Sequence, residues 1–84
     1  MTYPVILFYK YVEISDAELF AGRQRALCES LGLKGRILIA AEGINGTLAG
    51  PAGNVDRYVA ILKTDPRFSD VEIKRSPGDA GTFP

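Results

Sequence analysis

Histidine and tryptophan are absent from this 84-residue chain, and cysteine occurs only once, at Cys28. Because histidine is the commonest general base and a frequent metal ligand, its absence excludes histidine triads and argues against most zinc sites. A single cysteine allows no internal disulfide, which fits a reducing compartment. We therefore expect neither a metal nor a cofactor in this chain.

Net charge and long apolar runs are also lacking. Ten basic and ten acidic residues cancel, so bulk attraction to nucleic acid is not expected, although a local basic face remains open. Lys10 interrupts the first apolar run, no run reaches membrane-spanning length, and the N-terminus lacks a signal-peptide pattern. The sequence predicts a cytoplasmic globular protein with no membrane contact.

Two segments have the pattern of helices. Residues 15–18, Ser-Asp-Ala-Glu, form a capping-box pattern and predict a helix that runs through Leu31 and ends at Gly32. A second helix is predicted from Ala52 to Lys63, with Val55, Tyr58, Val59 and Leu62 on its buried side.

Four segments are rich in β-branched and aromatic residues or alternate in polarity, and they predict strands over residues 5–12, 34–41, 47–49 and 70–76. Asn45-Gly46, just before the third strand, predicts the hairpin turn because both residues accept positive φ.

The predicted order β-α-β-β-α-β is typical of an α+β, ferredoxin-like sandwich. We expect a four-stranded antiparallel sheet of order 4-1-3-2, with both helices on one face and the other face open. Residues 1–76 form the predicted domain. The proline- and glycine-rich residues 77–84 are expected to begin a linker.

The open face is the first candidate binding surface. Alternation predicts Leu7, Tyr9, Ile37, Ile39, Val71 and Ile73 under the helices, and Phe8, Lys10, Arg36, Leu38, Glu72 and Lys74 on the open face. An aromatic beside three cations on a bare sheet is how several RNA-binding modules hold bases and phosphates. The alternative is that these charges only solvate an exposed surface.

The hairpin segment is the second candidate surface. Residues 42–47 are glycine-dense, and Glu42, Asn45 and Thr47 could contact a ligand there. Turn geometry also explains this composition, and no helix follows the loop as it does in strong phosphate sites. Cys28 is expected to pack as a structural residue, and no pair of carboxylates suggests acid–base chemistry. We predict no catalytic residue and no metal ligand.

Four segments together resemble one family, and they are residues 8–12, 31–37, 41–47 and 65–68. They resemble the N-terminal, acylphosphatase-like domain of the bacterial rhodanese-related tRNA uridine hydroxylases, and the likeness extends from Tyr9 to Phe83. The resemblance implies a longer oxidoreductase in which a rhodanese domain follows, and which uses oxygen to convert uridine 34 of tRNA to 5-hydroxyuridine. The family's reactive cysteine lies in that rhodanese domain, so we expect this fragment to be inactive alone.

Three functions remain open at this level. In the first, the domain assists tRNA processing by binding tRNA through Phe8, Lys10, Arg36 and Lys74 and the hairpin residues. In the second, it is a scaffold that uses the same surface to dock on the rhodanese domain without RNA contact. The remote alternative is an acylphosphatase, which Arg23 and Asn45 keep open although the connection over residues 13–18 is acidic and lacks glycine and arginine.

Overall fold

The computed structural model describes residues 3–78 and confirms the predicted α+β architecture. The strands form one antiparallel sheet of order β2-β3-β1-β4, as expected. No helix in this part of the chain is long and apolar enough to cross a membrane. Of the predicted linker, residues 79–84 lie outside the described residues. The elements are β1 Val5–Tyr11, α1 Ala17–Ser30, β2 Lys34–Ala40, β3 Gly43–Ala49, α2 Ala52–Leu62, a 3-10 turn at Pro66–Phe68, and β4 Ile73–Ser76.

Both helices pack on the same face of the sheet, where they cover a single core. Tyr58 of α2 donates a hydrogen bond of 2.7 Å to the Oε1 atom of Gln24 in α1, so the two helices share a buried polar contact. Arg75 of β4 pairs with Asp56 of α2 at 2.7 Å. The largest fully buried side chains are Ile6, Ile14, Val55, Tyr58, Leu62 and Phe68.

The orientation of β1 is the opposite of the one predicted. Ile6 and Phe8 face the helices and are buried, whereas Leu7, Tyr9 and Tyr11 are exposed on the open face. Odd- and even-numbered residues of a strand point to opposite faces, and β1 has apolar or aromatic side chains at both. Alternation therefore could not predict which face of β1 packs against the helices. The prediction was wrong for Leu7, Tyr9 and Phe8.

Strands β2 and β4 have the predicted orientation. In β2, Ile37 and Ile39 are partly buried against the core and Arg36 and Leu38 are exposed. In β4, Ile73 is in register with Phe8 on the helix side. Lys74 is in register with Leu7 on the open face.

The hairpin turn lies at Ala41-Glu42, and Asn45-Gly46 lies inside β3. Gly46 is directly opposite Phe8, and a Cβ atom at Gly46 would come within 2.4 Å of the Phe8 ring. Gly46 is therefore required by the packing of that ring, which also lies 6.0 Å from the Tyr58 ring between centroids. The predicted Asn-Gly turn was wrong because this glycine makes room for an aromatic side chain.

Lys10 was also placed on the wrong side of the sheet. Its Nζ donates to the Arg67 carbonyl oxygen at 2.7 Å and pairs with the Asp70 carboxylate. Lys10 shares its parity with Phe8 and lies at the end of β1, where its flexible stem reaches the 3-10 turn. The pair with Lys10 lowers the pKa of Asp70.

Arg67 links the start of α1 to the connection before β4. Its guanidinium pairs with Asp16 at 2.8 Å and Asp65 at 2.7 Å, and it lies over the stacked rings of Phe20 and Phe68. The Asp16 side chain is engaged by Arg67, and α1 begins without a side-chain cap hydrogen bond. The predicted capping box at residues 15–18 is therefore not formed.

We predict that Gly46→Ala destabilises the protein by about 1–3 kcal/mol, because the added methyl group overpacks the Phe8 ring. Urea unfolding monitored by far-UV circular dichroism measures this change. Gly22→Ala is the matched control, since a Cβ there meets no atom within 4 Å in the exposed middle of α1. That control is expected to raise the free energy of unfolding by up to about 1 kcal/mol. Equal stabilities for the two variants would contradict the packing role of Gly46.

We predict that Arg67→Met lowers the free energy of unfolding at neutral pH, and that its difference from the parent narrows in acid. Hydrogen bonds from Arg67 hold the pKa values of Asp16 and Asp65 below their ordinary value of 3.8. The stabilisation is therefore present above pH 3.8 and is lost as the pH falls through the folded-state pKa values. Urea unfolding between pH 2.5 and 7 measures it, with exposed Arg57→Met as the control. A pH-independent difference would contradict the carboxylate pairing.

Candidate functional site

The open face of the sheet has an aromatic and apolar centre, which we call the tyrosine patch: Leu7, Tyr9, Tyr11 and Leu38. These side chains are 45%, 65%, 83% and 59% exposed, respectively. The two tyrosine rings lie edge to face with their centroids 6.3 Å apart. A cluster of exposed apolar and aromatic side chains on one sheet face is a candidate interaction surface.

Asn45 lies in the middle of the tyrosine patch. On β3 it is in register with Tyr9 on one side and with Leu38 on the other. Its side chain is exposed and makes no hydrogen bond to any other residue within 3–78. The sequence predicted Asn45 at the tip of the hairpin, and this prediction was wrong because Asn45 lies within β3. The residue does lie on the candidate surface.

Two cations flank the tyrosine patch in one row across the sheet. Arg36 on β2 is in register with Thr47, Thr47 with Leu7, and Leu7 with Lys74 on β4. At about 4.8 Å between strands, the two cations are separated by roughly 14 Å along the row. In the part of the chain that the structure describes, neither cation forms an ion pair. Their predicted placement on the open face is confirmed.

Phe8 and Lys10 do not belong to this surface. Phe8 is only 2% exposed, so its ring has no face available for a ligand. The Lys10 ammonium is held at the end of the sheet by Asp70 and by a backbone carbonyl. Neither residue can make the open-face contact that the sequence suggested.

Sequence reasoning missed Tyr9 and Tyr11. A usable signal was present, because Ile6 and Phe8 share one parity while Tyr9 and Tyr11 share the other. A buried tyrosine needs a partner for its hydroxyl group, whereas phenylalanine and isoleucine do not. Phenylalanine and isoleucine are also buried more often than tyrosine.

Acidic residues line the grooves on both sides of the tyrosines, and Lys74 lines the same groove as Asp70 and Glu72. Asp70 and Glu72 line one groove beside Tyr9 and Tyr11, and Glu42 lines a second groove on the opposite side of the tyrosines. Glu42 is exposed in the turn between β2 and β3. The surface therefore has a row with two cations, an aromatic centre, and exposed carboxylates of Glu72 and Glu42 beside the tyrosines.

The connection from β1 to α1 does not form a phosphate loop. The backbone amide of Val12 donates to the Glu42 carbonyl at 3.0 Å, and that of Ile14 donates to the Ala41 carbonyl at 2.8 Å. These amides are occupied and cannot turn toward an anion. Arg23 lies on α1 in the helix layer and Asn45 lies on the open face, so the sheet separates the two residues suggested for acylphosphatase chemistry.

Cys28 has the environment of a packing residue. Its side chain packs against the core, and burial raises the pKa of the thiol to about 11. A thiol with this pKa is protonated at neutral pH and is a poor nucleophile. Within residues 3–78, no three cysteine or acidic side chains come together in a group that could hold a metal ion.

Comparison with known proteins gives a consistent result. The family model described as the UPF0176 acylphosphatase like domain matches residues 3–84. Proteins named tRNA uridine(34) hydroxylase from Bacillus licheniformis and Lactococcus lactis are 48% and 47% identical to this chain over 81 residues, or 96% of it. One from Enterococcus faecalis is 47% identical over 83 residues, or 99% of the chain.

The chain spans about a quarter of the length of these relatives, with 25%, 25% and 26% covered in the three proteins. The relatives thus contain much further sequence beside the matching region. The likeness that the sequence suggested is confirmed at the level of the family. This chain belongs to the UPF0176 acylphosphatase-like domain family, whose curated relatives here are named tRNA uridine(34) hydroxylases.

Proposed function

We propose that this chain is the N-terminal accessory domain of a tRNA uridine(34) hydroxylase and that its open face helps to hold tRNA. The names of the relatives support the reaction, and their greater length supports catalysis by another part of the chain. On this proposal a rhodanese domain follows a linker that begins at Pro77 and carries the reactive cysteine. The protonated, packed state of Cys28 supports assigning no catalysis to this domain.

The observation that carries the RNA contact is the combination of exposed tyrosines with two cations, Arg36 and Lys74, in the neighbouring row of the open face. Arg36 and Lys74 have no anionic partner among the described residues, so their charges are available to phosphates. Exposed aromatic rings on a bare sheet with nearby cations are the elements of single-strand RNA-binding modules. Because the net charge is zero, this domain alone is expected to bind weakly and to add affinity when joined to a second RNA-binding part.

The scaffold function is the second candidate, and a specific observation favours it. Leu7 and Leu38 are about half exposed and extend the apolar surface beyond the tyrosines. An apolar surface of this kind can dock on the remainder of a longer chain without touching RNA. Docking and RNA contact differ in their dependence on salt, because only phosphate binding releases condensed counterions.

We predict that the chain binds tRNA with an affinity that falls as salt rises, and that Arg36→Gln combined with Lys74→Gln weakens this binding. Each lost phosphate contact should reduce the slope of log K against log salt by about 1. Fluorescence anisotropy with labelled tRNA between 25 and 150 mM salt measures the slope. Arg57→Gln combined with Lys63→Gln is the matched control, since these exposed residues lie on or just after α2, away from the open face. Identical slopes for the two double variants would contradict the proposed contact.

We also predict no hydrolysis of acetyl phosphate above the uncatalysed rate. The backbone amides of Val12 and Ile14 are already donated to carbonyl groups, and Arg23 and Asn45 lie on opposite sides of the sheet. Release of inorganic phosphate, measured by a colorimetric assay, tests this. Hydrolysis that Arg23→Gln or Asn45→Ala abolished would instead establish the acylphosphatase alternative.

A further inference from the structure

We propose that the tyrosine patch is a binding site for unpaired RNA bases, in which Tyr9 and Tyr11 stack against bases and Asn45 hydrogen-bonds to the edge of a base held on Tyr9. This inference rests on the proposed RNA contact and names the part of the RNA that the open face takes. Arg36 and Lys74 then receive the phosphates that connect these bases.

The two tyrosines are well placed for stacking. Tyr9 and Tyr11 alternate along β1, so their Cα atoms are about 6.8 Å apart on the same face. β1 pairs with β3 along its whole length and with β4 over its first residues, which holds both rings on a fixed backbone. Neither hydroxyl group has a hydrogen-bond partner among the described residues. A tyrosine has few side-chain torsions to immobilise, so ordering its ring on a ligand costs little entropy.

Asn45 adds a polar group at the right distance from Tyr9. Residues that face each other on adjacent antiparallel strands have Cβ atoms about 5 Å apart, and Asn45 faces Tyr9. Its amide offers both a donor and an acceptor, which is what the Watson–Crick edge of a base requires. Asparagine is depleted in strands, and Asn45 occupies an exposed position in β3.

The charge distribution orients the RNA on this face. Glu72 and Glu42 form no ion pair among the described residues, line the grooves beside the tyrosines and would repel a phosphate there. Neutral base rings are free of that repulsion. The sugar-phosphate backbone is therefore expected to run along the row of Arg36 and Lys74, while the bases point toward Tyr9 and Tyr11.

The same arrangement disfavours double-stranded RNA. In an A-form helix the bases are stacked on one another, so the faces that would stack on tyrosine are not accessible. An apolar protein segment would cover Leu7 and Leu38, but it would leave the Asn45 amide unsatisfied and gain nothing from Arg36 and Lys74. The central amide and the two cations, which form no ion pair within residues 3–78, thus favour single-stranded RNA over a protein partner.

The test compares binding of a labelled ten-nucleotide oligouridine with binding of a blunt RNA duplex of the same length, measured by anisotropy at low salt. We expect the single strand to bind more tightly than the duplex. Tyr9→Ala and Tyr11→Ala should each weaken single-strand binding at least about fivefold. Asn45→Ala should weaken it about two- to tenfold.

Two controls separate stacking from general disruption. Tyr9→Phe keeps the ring and should bind within twofold of the parent. Leu19→Ala removes an exposed apolar side chain from α1, on the helix side, and should leave binding unchanged. Because the chain has no tryptophan, its intrinsic fluorescence comes from tyrosine. We expect oligouridine to quench that emission in the parent and to quench it less in Tyr9→Ala, with far-UV circular dichroism confirming that each variant is folded.

The outcomes distinguish the inference from the function on which it rests. If the duplex binds as tightly as the single strand, or the tyrosine variants bind like the parent while the Arg36→Gln, Lys74→Gln variant is weakened, the base site is wrong and RNA contact stands. If the parent binds neither of these RNAs nor tRNA, both the base site and the RNA contact are overturned, and the tyrosine patch is a protein-docking surface.

Discussion

The contact between the Phe8 ring and Gly46 decides which surface this domain presents. β1 has large side chains at both parities, so either face of the strand was suited to a hydrophobic core. Only one arrangement places Phe8 over a residue without a side chain and beside Tyr58 of α2. Once Phe8 points toward the helices, the pleat of the strand places Leu7, Tyr9 and Tyr11 on the opposite face.

The ion pairs at the end of the sheet follow from the same orientation. With Phe8 inside, Lys10 also points to the helix side, at a level where the 3-10 turn rather than a helix covers the sheet. Its ammonium group pairs there with Asp70 and donates a hydrogen bond to the Arg67 carbonyl oxygen. Arg67 is oriented by Phe20, Phe68, Asp16 and Asp65. These contacts neutralise the charges near the α1 start, whereas Arg36 and Lys74 on the open face form no ion pair among the described residues.

The open face combines features that separately would indicate different partners. Leu7 and Leu38 alone would suggest protein docking, and Arg36 and Lys74 alone would suggest solvated surface. Tyr9 and Asn45 lie in the row next to the one that holds Arg36, Leu7 and Lys74, and Tyr11 lies one row further along β1. Aromatic rings, an amide and flanking cations on a fixed sheet are together more specific for single-stranded nucleic acid than any one of them.

The amino-acid sequence by itself determined the element order, the strand order, the buried face of α2, the glycine at the end of α1 and the family. Each of these depends on local periodicity, turn residues or long motifs, and such signals involve residues that are close together in sequence. The face of β1, the true turn at Ala41-Glu42 and the partner of Lys10 were decided only by the tertiary structure. These features depend on residues far apart in sequence. Phe8 packs against Gly46 and Tyr58, and Lys10 donates hydrogen bonds to the Arg67 carbonyl oxygen and to Asp70.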